Sequence, residues 1–302
     1  MIRLGLCCLF AEEPIKFRTT TVKFTSQLTT EQREHKLADL CRTNAESLRL
    51  AIEYCHANKI GCFRVNSQIL PLKTHVGCGY ELESLPDGDQ IIEAFRLCGS
   101  LAKKYDIRLG FHPDQFVVLN SPREDVVVNS IAELEYQCEV AEWIGADCVN
   151  IHGGGGYGDK PAALGRFARN LERLSDRVRI YLTVENDDRT YSPEELLPVC
   201  RNEGVPLVYD VHHHRCNKDT LNIDEATAEA LQTWNREPLF HISSPREGWS
   251  GPKPQRHHDY INIRDFPQEW NKLNITVEVE AKAKELAVKK LRRALDRRHQ
   301  SK

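Results

Sequence analysis

EDVVVNSIAELEYQCEVAEWIGADCVNIHGGGG, residues 124–156, is the stretch whose reading decides the fold. Apolar residues return at helical spacing up to Gly145, where a glycine ends the helix. Directly after it, 147–152 (DCVNIH) is a short β-branched and apolar run that reads as a buried strand. The same alternation extends outward in both directions. Strands are predicted at 2–9 (IRLGLCCL), 61–66 (GCFRVN), 107–112 (IRLGFH), 147–152, 179–185 (RIYLTVE), 206–211 (PLVYDV), 238–242 (PLFHI) and 275–280 (ITVEVE). Helices are predicted near 30–57, 88–104, 124–144, 161–175, 193–201, 223–234 and 281–297. Ser192-Pro193-Glu194-Glu195 opens one of them with a cap, a first-turn proline and acidic residues. Eight strands, each followed by a helix or a long loop, predict an α/β fold of one (β/α)₈ TIM barrel over 1–297, with 298–302 a frayed tail. Residues 243–260 form a long polar loop of the kind that carries function.

The bulk composition narrows the class. The chain has 302 residues, 40% of them hydrophobic, and a net charge of −3. No apolar run reaches the length needed to cross a bilayer. The apolar start, MIRLGLCCLF, reads as a strand and not as a signal peptide. Eleven scattered cysteines with no Cys-x-x-Cys pair read as free buried thiols, which makes a cytoplasmic protein the expectation. A small net charge leaves nucleic acid open as a partner, because DNA binding needs a local basic stripe and not a basic total.

In a barrel the active site lies at the C-terminal ends of the strands. Six consecutive predicted strands close on imidazole or carboxylate: His112, His152, Glu185, Asp210 with His212, His213 and His214 behind it, His241, and Glu278 with Glu280. Loops add His75 after the second strand and His257, His258 and Asp259 after the seventh. Charges in such places are costly unless a cation or a partner neutralises them. Imidazole and carboxylate without thiolate suit Zn²⁺, Mn²⁺ or Fe²⁺. Two or three such ions could bridge a phosphodiester, with Glu185 or Asp210 shared between them. Gly153 to Gly158 matches G-x-G-x-x-G, but the other strands offer no dinucleotide crevice, so no nucleotide cofactor is expected. These glycines are expected to let backbone approach the metal cluster or a phosphate.

At this point the chain resembles a family, the UV-damage endonucleases, relatives of the endonuclease IV type of apurinic endonuclease. The resemblance spans roughly 1–290. It rests on Arg64, Ser67, Leu70, Pro71 and His75; on His112-Pro113-Asp114-Gln115-Phe116; and on Asn150-Ile151-His152-Gly153-Gly154. It continues through Glu185-Asn186-Asp187-Asp188, Asp210-x-His212-His213, His241-Ile242-Ser243-Ser244, His257 and Glu280-Ala281-Lys282. The resemblance implies a monomeric enzyme that nicks damaged double-stranded DNA on the 5′ side of a lesion. It implies two or three divalent ions, Mn²⁺ before Zn²⁺, held by His112, His152, Glu185, Asp210, His213, His241, His257 and Glu280. Glu185, Asp210 and His75 are the expected catalytic residues, His75 as a ligand or a phosphate contact, and the Glu-Ala-Lys context favours Glu280 over Glu278. Gln115 and Phe116 match the pair that such enzymes push into the duplex at the lesion. An aromatic ring beside a Gln could fill the gap left by displaced bases; packing of Phe116 in the core is the alternative. Arg18, Lys23, Arg246, Lys253 and Arg256 are candidate phosphate contacts. The chain departs from the family pattern at Leu6 and Phe10, where Tyr and Asn are usual, at Phe116 for Tyr, and at Leu239 for a modifiable Lys.

A competing reading is a metal-dependent sugar isomerase or epimerase of the same lineage, which needs only one or two ions and two carboxylates. The number of histidines exceeds that need. A non-catalytic binding protein is the third.

Overall fold

The structure, a computed structural model, describes residues 2–300. Eight strands close into a parallel barrel in chain order: β1 (Ile2–Cys7), β2 (Cys62–Val65), β3 (Arg108–Phe111), β4 (Val149–His152), β5 (Leu182–Glu185), β6 (Leu207–Asp210), β7 (Leu239–Ile242) and β8 (Ile275–Val279). β8 returns to pair with β1 through Ile2↔Ile275 to Leu6↔Val279. The helices are α1 (Val22–Thr25), α2 (Thr30–Ala57), α3 (Gly88–Tyr105), α4 (Glu124–Ile144), α5 (Lys160–Leu171), α6 (Asp176–Tyr181), α7 (Pro193–Glu203), α8 (Val211–Cys216), α9 (Ile223–Leu231) and α10 (Lys284–Gln300). Residues 298–300 of the expected tail belong to α10, and 301–302 lie outside the described residues.

Two short helices depart from the sequence expectation. Residues 179–181, expected in a strand, complete α6, because Ser175 caps it by accepting from the Val178 amide at 3.3 Å. The run after β6 turns at once into α8, because Asp210 caps it through the His213 amide at 2.8 Å. One carboxylate therefore ends a strand, starts a helix and points the histidines that follow.

The register sets the rim. His152 pairs with Glu185, Asp210 with His241, and His241 with Glu278, so strand-closing groups stand side by side. Leu4, Leu6, Phe63, Val277 and Phe240, all buried, face outward and fill the layer between the barrel and its helices, while Cys148, Val208 and Leu239 form a smaller, separate apolar cluster; burying a side chain of this kind stabilises by roughly 1.5–3 kcal/mol. The departures at Leu6, Phe10 and Leu239 are packing positions: Leu6 and Leu239 are buried, and Phe10 stacks on Phe63 at 5.9 Å. All eleven cysteines are free and nine are buried. Among the described residues no helix is long and apolar enough to cross a membrane.

Candidate metal centre

Glu185 is the hub of the rim. It closes β5, is fully buried, and lies 3.0 Å from His112 Nε2 through Oε2. Its Oε1 lies 3.1 Å from His241 Nδ1 and 3.2 Å from His213 Nδ1, at ionic distance but without the alignment of a hydrogen bond. Asn150 Nδ2 donates to Oε2 at 2.6 Å, and Thr183 donates to Asn150 Oδ1 at 3.2 Å, which fixes the carboxylate plane. Three groups converge closely enough to share an ion: His112, His152 and Glu185; Glu185, Asp210 and His213; Asp210, His241 and Glu280. The ring nitrogen His112 Nδ1 lies 3.1 Å from the Pro113 carbonyl. Donation there leaves Nε2, the atom facing Glu185, with the lone pair that a cation needs.

Among the described residues, several buried acceptors in this cluster have no hydrogen-bond partner, although the two carboxylate oxygens have imidazoles at ionic distance: Glu185 Oε1, Asp210 Oδ2 and His152 Nδ1. Orphaned buried acceptors are expensive, and a divalent cation is the group that would satisfy a carboxylate oxygen and an imidazole nitrogen together. The donor set therefore fits the metals expected from the sequence.

Around this cluster lies a second layer that the motif reading left without a role. Arg64 of β2 is buried; its Nε donates to Glu278 at 2.6 Å, its Nη2 also pairs with Glu278, and its Nη1 meets Glu280 at 2.7 Å. Glu278 Oε2 also lies 3.0 Å from His241 Nε2. Glu278 is thus engaged by Arg64 and His241, while Glu280, also paired with Arg64, converges with Asp210 and His241. His257 Nδ1 lies 3.8 Å from Glu280. His258 Nδ1 instead accepts from the Tyr260 amide at 2.9 Å, so of the two it is His257 that faces the cluster.

The electrostatics follow from this geometry. Burial would raise the Glu185 carboxyl, but His241, His152, His112 and His213 overturn that and hold it well below its ordinary value. Burial would likewise raise Glu280, and Arg64, His241 and His257 hold it down. Burial would lower His241, but Glu185 and Glu278 carry it up to about 10. His213 is raised against burial by Asp210 and Glu185. His152 stays below its ordinary value because burial dominates. In the metal-free protein His213 and His241 therefore hold protons that ligation must displace. The sign follows: a raised ligand pKa means that acid competes with metal. Apparent Mn²⁺ affinity is expected to climb by about a decade per pH unit for each displaced proton between pH 6 and 8. Chelator competition with proton release followed in weak buffer checks this; a flat profile without proton release would contradict it.

The cluster adjoins a cleft of about 1750 Å³ lined by His152, Gly154, Asp187, Gln115 and Phe116 among others. Asp114 shapes the turn at its edge by accepting from the Phe116 amide at 3.1 Å. Val117 turns into the core and Phe116 turns out, 76% exposed, which removes the core reading of that ring. Lys253 and Arg256 line the cleft, as do Arg123 and Arg189, which the sequence reading did not single out. Arg18 and Arg246, on loop segments, and Lys23, in α1, are exposed and outside its lining.

His75 is exposed on the cleft-lining loop, its Nδ1 accepts from the Gly77 amide at 3.1 Å, and it joins none of the three ion-sharing groups, a position that suits the phosphate-contact alternative of the expectation. At Gly154, where φ is +86°, a Cβ would sit 2.1 Å from Asn120 Oδ1, so this glycine makes room for a buried side chain.

A family profile described as UV-endonuclease UvdE matches residues 2–301. A UV DNA damage endonuclease of Bacillus velezensis is 33% identical over 297 residues, spanning 94% of this chain and 89% of the relative. Among solved structures, SacUVDE superposes with a TM-score of 0.87 at 27% identity over 99% of both chains. Endonuclease IV from Thermus thermophilus superposes at 0.63 with 16% identity, over 98% of this chain and 99% of that one, a likeness of fold.

Proposed function

The chain belongs to the UV-endonuclease UvdE family, and from that premise we propose that it is a metal-dependent DNA-repair endonuclease hydrolysing the phosphodiester 5′ to UV photoproducts and other distorting lesions. The observation that carries the reading is the set of orphaned acceptors on Glu185, Asp210 and His152 beside a cleft that displays Phe116. His112, His152, Glu185, Asp210, His213, His241, His257 and Glu280 would hold two or three divalent ions, Mn²⁺ first and Zn²⁺ as the alternative. When bound, these would supply Lewis acidity at the scissile phosphate and make water a stronger acid. Glu185 spans the groups on either side and keeps their spacing. Arg123, Arg189, Lys253 and Arg256 meet the duplex backbone, and His75 stands where a phosphate can reach it; Arg18, Lys23 and Arg246, exposed outside the cleft lining, would contact phosphates only beyond it. Gln115 and Phe116 enter the duplex where stacking is already weakened, so the lesion lowers the cost of insertion.

A sugar isomerase has no comparable support. Small-ligand pockets run to roughly 300–1,000 Å³, and this cleft is larger and edged with basic groups.

The test is a duplex carrying one photoproduct, incubated with the Mn²⁺-loaded protein. A 5′ nick above the undamaged control is expected, and none, with metal shown to be bound, would refute the reading. In the same assay Gln115→Ala with Phe116→Ala should reduce preference for damaged DNA about 5- to 150-fold, the equivalent of one stacked base, with metal content unchanged. Equal losses on both substrates would remove the probing role.

A further inference from the structure

The loop between β4 and α5 holds a residue that the chemistry above does not use. Tyr157 has φ of +47°, in the left-handed region that residues with a Cβ rarely enter. Gly156 and Gly158 flank it, yet the strained position carries the largest side chain of the loop. Such strain persists only where the surroundings impose it, and it concentrates at functional sites. The ring is 48% exposed and lines the same cleft as Phe116.

Its backing is built. A Cβ at Gly155 would sit 3.0 Å from ring atoms Cε2 and Cζ, so the outer edge of the ring abuts the backbone there. Asn120, fully buried, clamps that backbone from both sides: Nδ2 donates to the Gly155 carbonyl at 2.8 Å, and the Gly155 amide donates to Oδ1 at 3.2 Å. The Tyr191 hydroxyl donates to the same carbonyl at 3.1 Å. The Arg166 guanidinium lies over the ring, 5.6 Å from its centroid, and is tethered by Nε to the Asn120 carbonyl at 3.0 Å. The ring is thus braced along its outer edge by Gly155 and neighboured by Arg166, with about half of its surface open to the cleft.

We propose that Tyr157 is a stacking platform for an unpaired nucleobase of the DNA substrate, a second aromatic subsite besides Phe116; this rests on the DNA-endonuclease reading above. A base is the planar group that such a ring accepts without sequence preference, and the basic residues of the same cleft suit the phosphates that accompany it. The ring is held in place before the substrate arrives, so binding loses little side-chain freedom at this point.

The experiment uses the full chain stripped of metal with chelator, so that binding is read without turnover. The probe is a photoproduct duplex with 2-aminopurine placed in turn at positions around the lesion, beside an intact duplex. Tyr157→Leu is expected to weaken binding of the damaged duplex at least about fivefold and to abolish the change in 2-aminopurine emission at one position. Tyr157→Phe should retain both. Tyr157→Gly, which relieves the backbone strain, should raise the thermal midpoint while losing the stacking signal, a pairing that a structural role for the ring would not produce. If wild type prefers the damaged duplex and Tyr157→Leu binds and reports as wild type does, the platform is refuted while the endonuclease reading stands. If wild type shows no preference for damaged DNA and no 2-aminopurine response, the platform is refuted, while the nicking assay with Mn²⁺-loaded protein decides the endonuclease reading separately.

Discussion

Glu185→Ala should leave a folded barrel that neither nicks damaged DNA nor retains its full metal. The carboxylate is the shared neighbour of His112, His213 and His241 at 3.0, 3.2 and 3.1 Å. Its removal takes away the anion that these three imidazoles share, leaving His241 to Glu278 and Glu280 and His213 to Asp210. Removing one partner from a buried charge cluster costs about 3–5 kcal/mol, which is about two to four decades in an equilibrium constant. Metal affinity and nicking rate are each expected to fall within that range. Glu185→Gln separates charge from shape: it keeps an oxygen for the Asn150 amide but not the anion, so it should lose nearly as much. Metal analysis beside a single-turnover nicking assay reads both quantities, and unchanged values in either variant would strip Glu185 of the hub role.

The second large effect lies behind the metal cluster. Arg64→Met should lower stability by about 3–5 kcal/mol, because it leaves Glu278 and Glu280 buried without their counter-charge. For a barrel of this size that is about 5–15 °C in the thermal midpoint, measured in chelator so that metal does not mask it. The pH dependence has a definite sign. Burial would raise Glu278, but Arg64 and His241 lower it to about 2. A depressed carboxylate adds stability above its unfolded pKa, and that stability is lost as pH falls through the folded value. The wild-type advantage over Arg64→Met should therefore be full above about pH 4.5 and close towards pH 2. A deficit independent of pH would assign Arg64 to packing alone.

The contrast between these two residues shows what a sequence exposes. Glu185 closes a strand, and the barrel gathers strand-closing residues at one end, so its role follows from position. Arg64 acts from within a strand, through Glu278 and His241 on two distant strands. No spacing announces that contact, although a lone Arg inside the apolar run CFRV requires a buried anion somewhere. Asn150 is similar: it sits two residues before His152 on the same face of its strand, and only the register β4↔β5 brings it to Glu185. Loops are where sequence reading fails. His75 matches a motif, but the local hydrogen bonds of its turn decide where the ring points. Alternation cannot tell Phe116 from Val117 once the chain has left the strand. At 179–181, Arg-Ile-Tyr suits a strand or a helix end equally, and the Ser175 cap decides.

The buried sulfurs give the barrel a use as its own instrument. Burial pushes the Cys41 thiol up to about 11 and those of Cys98, Cys138 and Cys200 up to about 12. The thiolate is the form that attacks an alkylating reagent, so at neutral pH these positions stay silent while the chain is closed. They sit in α2, α3, α4 and α7, spread around the outer ring. Pulsed alkylation in rising denaturant, followed by peptide mapping, would report which sector of the ring opens first, with no label to engineer and no residue of the metal centre disturbed.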